Sequence, residues 1–426
     1  MSARAEAGGV KIAIIGGGST YTPELVLELA KTPGVGTVVL HDIDEGRLGV
    51  VGGFVDRMFA HQGSAVRTHL TCDLDSALDG ASFVLTQIRV GGSAARVKDE
   101  TIALRHGFIG QETTGAGGFA MALRTVPVIV EIAERIRALA PEAFLVNFTN
   151  PAGLVAEAAG RAGVRCIGLC SIPKSFEDAF RAIHERAVDV ESFGLNHLSW
   201  IRSVRVDGED RLPEFLSTWP QGGDISRSVV DALGLLPNPY LRFYYSPARM
   251  LEAQQAEART RADEVVELER ATLERFGDPE LTELPPELAQ RGGSGYSAAA
   301  VAFVSSVIEN RGDVQVLDVP NAAALEGFPN DAVVEVPCRV DASGATPIAQ
   351  DPLPEHCLGL MRAVKSYERL TIDAALTGSR DTALTALTSH PLVGDVDRAS
   401  ALLDDILAAH ADELVRWSLP PARPLQ

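Results

Sequence analysis

The chain is short of positive charge and of cysteine. Lysine and arginine number 38 against 57 aspartates and glutamates, a formal net charge of -19. Nucleic acid needs a basic face for its phosphates, so it is not an expected partner. A phosphorylated small molecule stays open, because a few local arginines suffice for it. The five cysteines, Cys72, Cys166, Cys170, Cys338 and Cys357, are odd in number and include no CxxC pair. A disulfide framework is therefore not expected. No uninterrupted apolar run reaches membrane-spanning length, and Met1 to Gly9 is polar, without an apolar signal region. We expect a cytoplasmic protein with no membrane partner. Internal repeats and low-complexity tracts are absent too. What remains is ordinary globular composition, 46% hydrophobic and 22% charged, over 426 residues. That length exceeds what one core usually serves, so two domains are expected.

The most informative stretch lies near the start. Val10 to Ile15 is an apolar, β-branched run that ends in Gly16-Gly17-Gly18, followed by Ser19 and Pro23. The run reads as a buried strand, and Pro23 suits the first position of a helix. A strand, a glycine turn and a helix N-terminus make an anion site, whose natural occupant is a dinucleotide pyrophosphate. Tyr21 stands where the fingerprint wants its last glycine. A second strand, Thr37 to Leu40, ends at His41-Asp42-Ile43-Asp44. An acid there would hold the adenosine ribose, with Asp42 the first candidate and Asp44 the second. The competing reading is a glycine turn with a solvated acidic loop, which the surrounding βαβ order makes the weaker one.

Further apolar strands end in polar turns. Phe83 to Ile88 delivers Arg89-Val90-Gly91-Gly92; Phe144 to Phe148 delivers Thr149-Asn150-Pro151; Val164 to Leu169 delivers Cys170-Ser171. In open parallel sheets ligands bind outside these carboxyl ends. Asn147 and Asn150 could read sugar hydroxyls or nicotinamide, although Asn before Pro is also common turn chemistry. Asp99-Glu100 reads as acids capping a helix start. Gly107 to Arg124, dense in glycine, reads as a loop that approaches a ligand or another segment. The βα alternation stops near Leu195, where we place the domain change. Asp207-Gly208 then signals a hairpin, and Tyr240, Tyr244 and Tyr245 crowd one segment. Met250 to Arg275 reads as one charged helix, and Val314 to Val319 with Val333 to Val340 as strands of a further sheet.

Cys170 and His197 are the chemical pair to weigh. A buried cysteine is usually a small hydrophobe and a lone histidine is usually structural. Both here sit at strand-end turns, where thiolate and imidazole could share one divalent metal, with substrate and water completing the shell. At this point the chain resembles glycoside hydrolase family 4, most like its 6-phospho-β-glucosidases. The shared stretches are Ile15 to Ser19 with Thr22-Pro23, Arg89 to Gly92 with Arg96 and Asp99-Glu100, and Glu112-Thr113 with Gly115, Gly117 and Gly118. Ala122 to Thr125, Asn147 to Pro151, Gly168 to Cys170, Gly194 to His197, Pro239 to Arg242 and Arg291 to Gly293 complete them.

The resemblance implies an α/β fold similar to lactate and malate dehydrogenases. Residues 1–195 would form a Rossmann-like, doubly wound parallel sheet, and residues 196–426 an α+β domain for substrate and oligomerisation. It implies bound NAD at Gly16, Gly17, Gly18, Ser19 and Asp42, and a divalent metal, Mn2+, on Cys170 and His197. By softness alone the pair would favour zinc or iron; manganese comes from the resemblance. It also implies hydride removal from C3 of the sugar, loss of the C2 proton to Tyr240 (or Tyr244), elimination at C1, addition of water and return of the hydride, outside the usual two-carboxylate scheme. Arg96, Asn150 and Arg291 would contact a phosphorylated sugar, and a homodimer or homotetramer is expected. Ser171 stands where the β-acting branch carries Asn and the α-acting branches Asp or His. A hydroxyl is a poor general acid, which speaks against an α-glucosidase. The rival readings are a family member with another or non-phosphorylated glycoside, an NAD-dependent 2-hydroxy acid dehydrogenase, and a non-catalytic NAD sensor; neither of the last two needs the Cys/His pair.

Overall fold

The structure, a computed structural model, describes residues 9–286, 288, 295–414 and 417. Six strands alternate with seven helices in the first half. The strands are β1 (Val10–Ile15), β2 (Val35–His41), β3 (Arg67–Thr71), β4 (Phe83–Thr86), β5 (Phe144–Asn147) and β6 (Arg165–Gly168). The helices are α1 (Thr22–Ala30), α2 (Glu45–Gln62), α3 (Leu74–Leu78), α4 (Gly92–Arg105), α5 (Gly115–Leu139), α6 (Ala152–Arg161) and α7 (Ser171–His184). All six strands pair in parallel, in the order β3-β2-β1-β4-β5-β6 of the doubly wound dinucleotide fold. β1, β4 and β5 are buried almost throughout, because helices cover both faces of a parallel sheet.

The second half extends the same sheet. β7 (Val188–Leu195) and β8 (Leu198–Val206) form an antiparallel pair, with short β9 (Glu209–Asp210) and β10 (Leu236–Pro237) on β8. Asp207 and Gly208 both have positive φ, as the expected hairpin turn requires. β11 (Asp313–Pro320) pairs antiparallel with β12 (Val333–Asp341), and β13 (Gly344–Pro347) with β12. These strands do not form the further sheet that the sequence led us to expect. β11 joins β6, and β12 joins β7, so one twisted sheet of thirteen strands runs through both halves. The division at residue 195 is therefore one we propose on chain order; the sheet itself has no break there.

Other differences have local causes. The glycine-dense loop is shorter than expected, because α5 begins at Gly115. Gly117 and Gly118 let this helix press on the preceding segment. A Cβ on Gly117 would lie 2.3 Å from the Gln111 carbonyl oxygen, and one on Gly118 2.7 Å from that of Thr113. α5 is also long and apolar enough to cross a membrane by length and composition, a feature the apolar-run count missed. Of its most apolar window, 78% is buried inside the fold, as in a central core helix. Met250 to Arg275 is two helices, Pro247–Ala256 and Arg261–Phe276; Thr260 caps the second with a reciprocal Asp263 capping box. Asp99 and Glu100 are buried mid-helix in α4, not at its start. Asp99 pairs bidentately with Arg124 of α5, at 2.8 and 2.6 Å.

The seam between the halves carries buried acid. Asp318 of β11 and Glu335 of β12 lie directly opposite each other, and each faces a glycine of the next strand, Gly168 and Gly194. Burial and mutual repulsion push the Asp318 carboxyl well up, and burial pushes Glu335 up. Neither Glu335 oxygen has a hydrogen-bond partner; Ser199, Asn196 and Cys170 lie close enough to temper its rise without bonding geometry. A carboxyl raised in the folded state holds its proton there after the unfolded chain has lost it. Its stabilising share is full below the unfolded value and is lost as pH rises through the folded one. Glu335→Gln should therefore gain stability relative to wild type as pH rises from 5 to 8, measured by urea unfolding; a gain that does not grow with pH would contradict this.

Candidate active site

The carboxyl ends of β1, β2, β4, β5 and β6 form one edge, and most of the sequence-selected residues gather there. Gly16, at φ 90°, folds the chain back over β4, where a Cβ would stand 2.8 Å from the Gln87 carbonyl oxygen. Gly17 would meet Leu40 Cβ at 2.8 Å, and Gly18 would meet Asp42 Oδ2 at 2.8 Å. Gly16 and Gly17 are thus held to glycine by the backbone beside them, Gly18 leaves room for the Asp42 carboxylate, and together they leave a backbone cradle. Gln87, which the sequence reading passed over, donates from Nε2 to the Gly16 carbonyl at 3.1 Å. Ser19 accepts from the Tyr21 N–H. Asp42 accepts the Gly18 N–H at 2.8 Å, fixing the turn to the end of β2. Asp44 is the N-cap of α2 and accepts from Arg47 N–H, which explains the second acid as structural. A glycine cradle before α1, with an acid beside it, fits a dinucleotide pyrophosphate and ribose.

After β4 stands an ion-paired group. Glu112 accepts from Arg89 Nη1 at 2.5 Å and lies 3.2 Å from Arg96 Nη1. Arg96 is buried and also donates to Glu100 at 2.8 Å. Burial works against the Glu112 charge, but the two guanidiniums hold its carboxyl below the usual range. Glu100, more weakly compensated, is pushed up by burial.

His197 sits in the β7–β8 turn at φ 63°. Its Nδ1 is 2.9 Å from Thr113 Oγ1, and that hydroxyl donates to Gln111 Oε1 at 2.8 Å. With its proton committed to Gln111, Thr113 accepts from Nδ1–H, which places the imidazole lone pair on Nε2. Burial lowers the His197 pKa to about 4, so the ring is neutral at physiological pH. Tyr240 stacks flat on it, with centroids 3.7 Å apart and planes 3° apart. Burial, Glu112 and Cys170 push the Tyr240 phenol up to about 12. Tyr296, which the sequence reading did not select, belongs to the same group: after burial, Cys170 and Tyr240 contribute most to its strongly raised phenol.

Cys170 ends the β6 turn as the N-cap of α7, and Ser171 follows as the first helical residue. Burial and then Glu335 and Asp318 push the thiol well up, so it needs a cation to ionise. Thiolate and neutral imidazole form a donor set that fits a divalent transition metal. No group of three or more His, Cys, Asp or Glu donors occurs among the described residues. Oxygen ligands from substrate and water would have to complete such a shell, as an open catalytic site requires. Asn147 is committed to structure, accepting from Thr86 of β4 and donating to the Thr149 and Ala152 carbonyls of its own turn. Asn150, joined to Pro151 by a cis peptide, keeps a buried amide oxygen without a partner. Tyr244, the alternative base, is half-buried, with its hydroxyl 3.5 Å from His390 Nε2. Arg291 lies outside the described residues.

Fold and glycine turn define a dinucleotide-binding α/β enzyme, with a buried cysteine and a buried histidine at strand-end turns of the same sheet. Comparison with known proteins gives the family. The profile described as "Family 4 glycosyl hydrolase" matches residues 11–185, and that of the "Family 4 glycosyl hydrolase C-terminal domain" matches residues 192–393. The chain belongs to glycosyl hydrolase family 4, and it is a glycoside hydrolase. It is 40% identical to the "Probable 6-phospho-beta-glucosidase" of Bacillus subtilis, covering 94% of this chain and 96% of that one. It superposes with a TM-score of 0.89 and 35% identity on the Thermotoga maritima 6-phospho-beta glucosidase solved with manganese, NAD+ and glucose-6-phosphate, covering 95% and 99%. A 6-phospho-alpha-glucosidase from gut microorganisms, solved with NAD and glucose-6-phosphate, superposes at 0.88 with 30% identity, covering 95% and 98%. Cryptosporidium parvum malate dehydrogenase shares the fold, with a TM-score of 0.56 at 16% identity over 86% of this chain and 99% of that one.

The Thr113 relay makes a direct prediction. Thr113→Val removes the acceptor for Nδ1–H and frees the ring to change tautomer. Mn2+ affinity, followed by calorimetric titration, should fall by about 10–100-fold, with the thermal midpoint little changed. Unchanged affinity would show that Thr113 does not orient His197.

Proposed function

We propose that the protein is an NAD- and Mn2+-dependent 6-phospho-β-glucosidase acting by oxidation, elimination, addition and reduction. The observation that supports this is the stack of Tyr240 on His197, with a phenol that feels the charge of Cys170, in a fold whose sheet also carries the Gly16–Gly18 cradle. Cys170 and His197 would hold the metal, and the glycine turn with Ser19 and Asp42 would hold NAD. When bound, NAD supplies a reversible hydride acceptor, and the metal supplies a positive charge beside the sugar oxygens.

Tyr240 is the base in this reading. Its phenol is held protonated by burial, Glu112 and Cys170, and a cation between Cys170 and His197 would offset that field. Stacking on His197 keeps the ring from turning away. Tyr244 is the weaker choice, because its hydroxyl is buried against His390. Asn150, with its unpartnered amide oxygen, would accept a sugar hydroxyl. Arg96 would meet the substrate with Arg291, although Glu100 and Glu112 already hold its guanidinium in place. Ser171 supports the β over the α reading, because a serine hydroxyl at the first turn of α7 is a poor acid for an aglycone. We also propose a cytoplasmic location and a homodimer or homotetramer, on family resemblance.

The test is release of 4-nitrophenol from β- and α-glucosides with and without a 6-phosphate. The β-linked phosphorylated substrate should react, only with both NAD+ and Mn2+ present. Turnover without NAD+ would refute the mechanism, and preference for the α-linked substrate would refute the specificity. Tyr240→Phe should lower kcat by about 10²–10⁴-fold, the usual weight of a general base, whereas Tyr244→Phe should retain most activity.

A further inference from the structure

One ion pair at the cofactor edge is made across the two halves of the chain. Arg47, in the first turn of α2, lies 3.3 Å from the Gly18 carbonyl oxygen through Nη2, beside the turn that Asp42 holds. The same Nη2 pairs at 2.6 Å with Glu269 of helix Arg261–Phe276. The other Glu269 oxygen accepts from Ser93 at the start of α4 at 2.7 Å. The helix is docked at its beginning as well, where the Ala262 N–H donates to Glu100. It thus spans from α4 to α2, touching both. Burial works against the Glu269 charge, but Arg47 and Ser93 hold its carboxyl below the usual range, so the pair is ionised.

Arg47 is placed where a dinucleotide fold that takes a 2′-phosphate would use an arginine, near the acid that reads the unphosphorylated ribose. Its charge is already neutralised by a residue 222 positions away. We propose that Glu269 is a specificity-determining residue: by pairing with Arg47 it withholds the cation that a 2′-phosphate would need, and so selects NAD over NADP at the adenosine end. Asp42 adds the second negative charge there. The inference rests on the cofactor reading of the glycine turn, and is independent of the sugar and of the metal.

The experiment is calorimetric titration of NAD+ and NADP+ into the metal-free full-length protein. Wild type should bind NAD+ and prefer it over NADP+. Glu269→Gln keeps the shape and the Ser93 contact but frees the Arg47 charge. It should tighten NADP+ relative to NAD+ by about tenfold, the scale of one screened charge interaction. Adding Arg47→Met to that variant should erase the gain. Arg47→Met alone leaves Glu269 uncompensated and should weaken NADP+ further, an independent reading should Glu269→Gln fail to fold. Ser93→Ala, which keeps the ion pair, should leave the preference unchanged. If Glu269→Gln keeps the wild-type preference, or weakens both dinucleotides in parallel, the pair is only a brace and the inference is overturned. Wild type that binds neither dinucleotide would overturn the cofactor reading itself, and this inference with it.

Discussion

The active edge depends on one carboxylate, Glu112. It is the shared partner of Arg89 and Arg96, and through them it fixes the loop after β4 to the start of α4. Its charge also reaches Tyr240, Tyr296 and His197. Removing one partner of this part-buried group would leave the other charges imperfectly compensated, at a cost that solvent partly screens. The next residue, Thr113, positions the histidine, and Gly115, Gly117 and Gly118 follow at once. The glycines let α5 press against the Gln111–Thr113 segment, so this stretch is held by backbone packing as well as by charge. One short piece of chain thus sets electrostatics, tautomer and geometry together.

The sheet supplies the rest. Parallel strands bring turns distant in sequence to one edge, and extension through β11 and β12 puts the second half in register with them. Gly168 and Gly194 leave room for Asp318 and Glu335, and this acid stands behind Cys170. The cost is two buried carboxyls in the seam; the effect is a Cys170 thiol held in its protonated form.

Much of this was legible in the sequence, for identifiable reasons. The glycine turn, the apolar strands and their polar ends follow from local chemistry, and the parallel order followed from their alternation. Cys170 and His197 stood out because each sits at a strand end. What was not legible depends on distance. Thr113 meets His197 across 84 positions, and Glu269 meets Arg47 across 222, and no local pattern marks either. The glycines of α5 read as loop because glycine disfavours helix interiors; tertiary close approach overrode that preference. Continuity of the sheet was missed for the same reason, since the bridge from β6 to β11 rests on a single pair, Gly168 with Asp318.

The central claim is that this edge removes and returns a carbon-bound proton during hydrolysis, with Tyr240 as the group that takes it. The most direct measurement is hydrolysis of a 6-phospho-β-glucoside in D2O, with the released sugar phosphate examined by proton NMR. The account predicts deuterium at C2 of the product in every turnover, and its loss together with activity in Tyr240→Phe. A product that keeps its original hydrogen at C2 would mean direct displacement at C1 and would contradict the account.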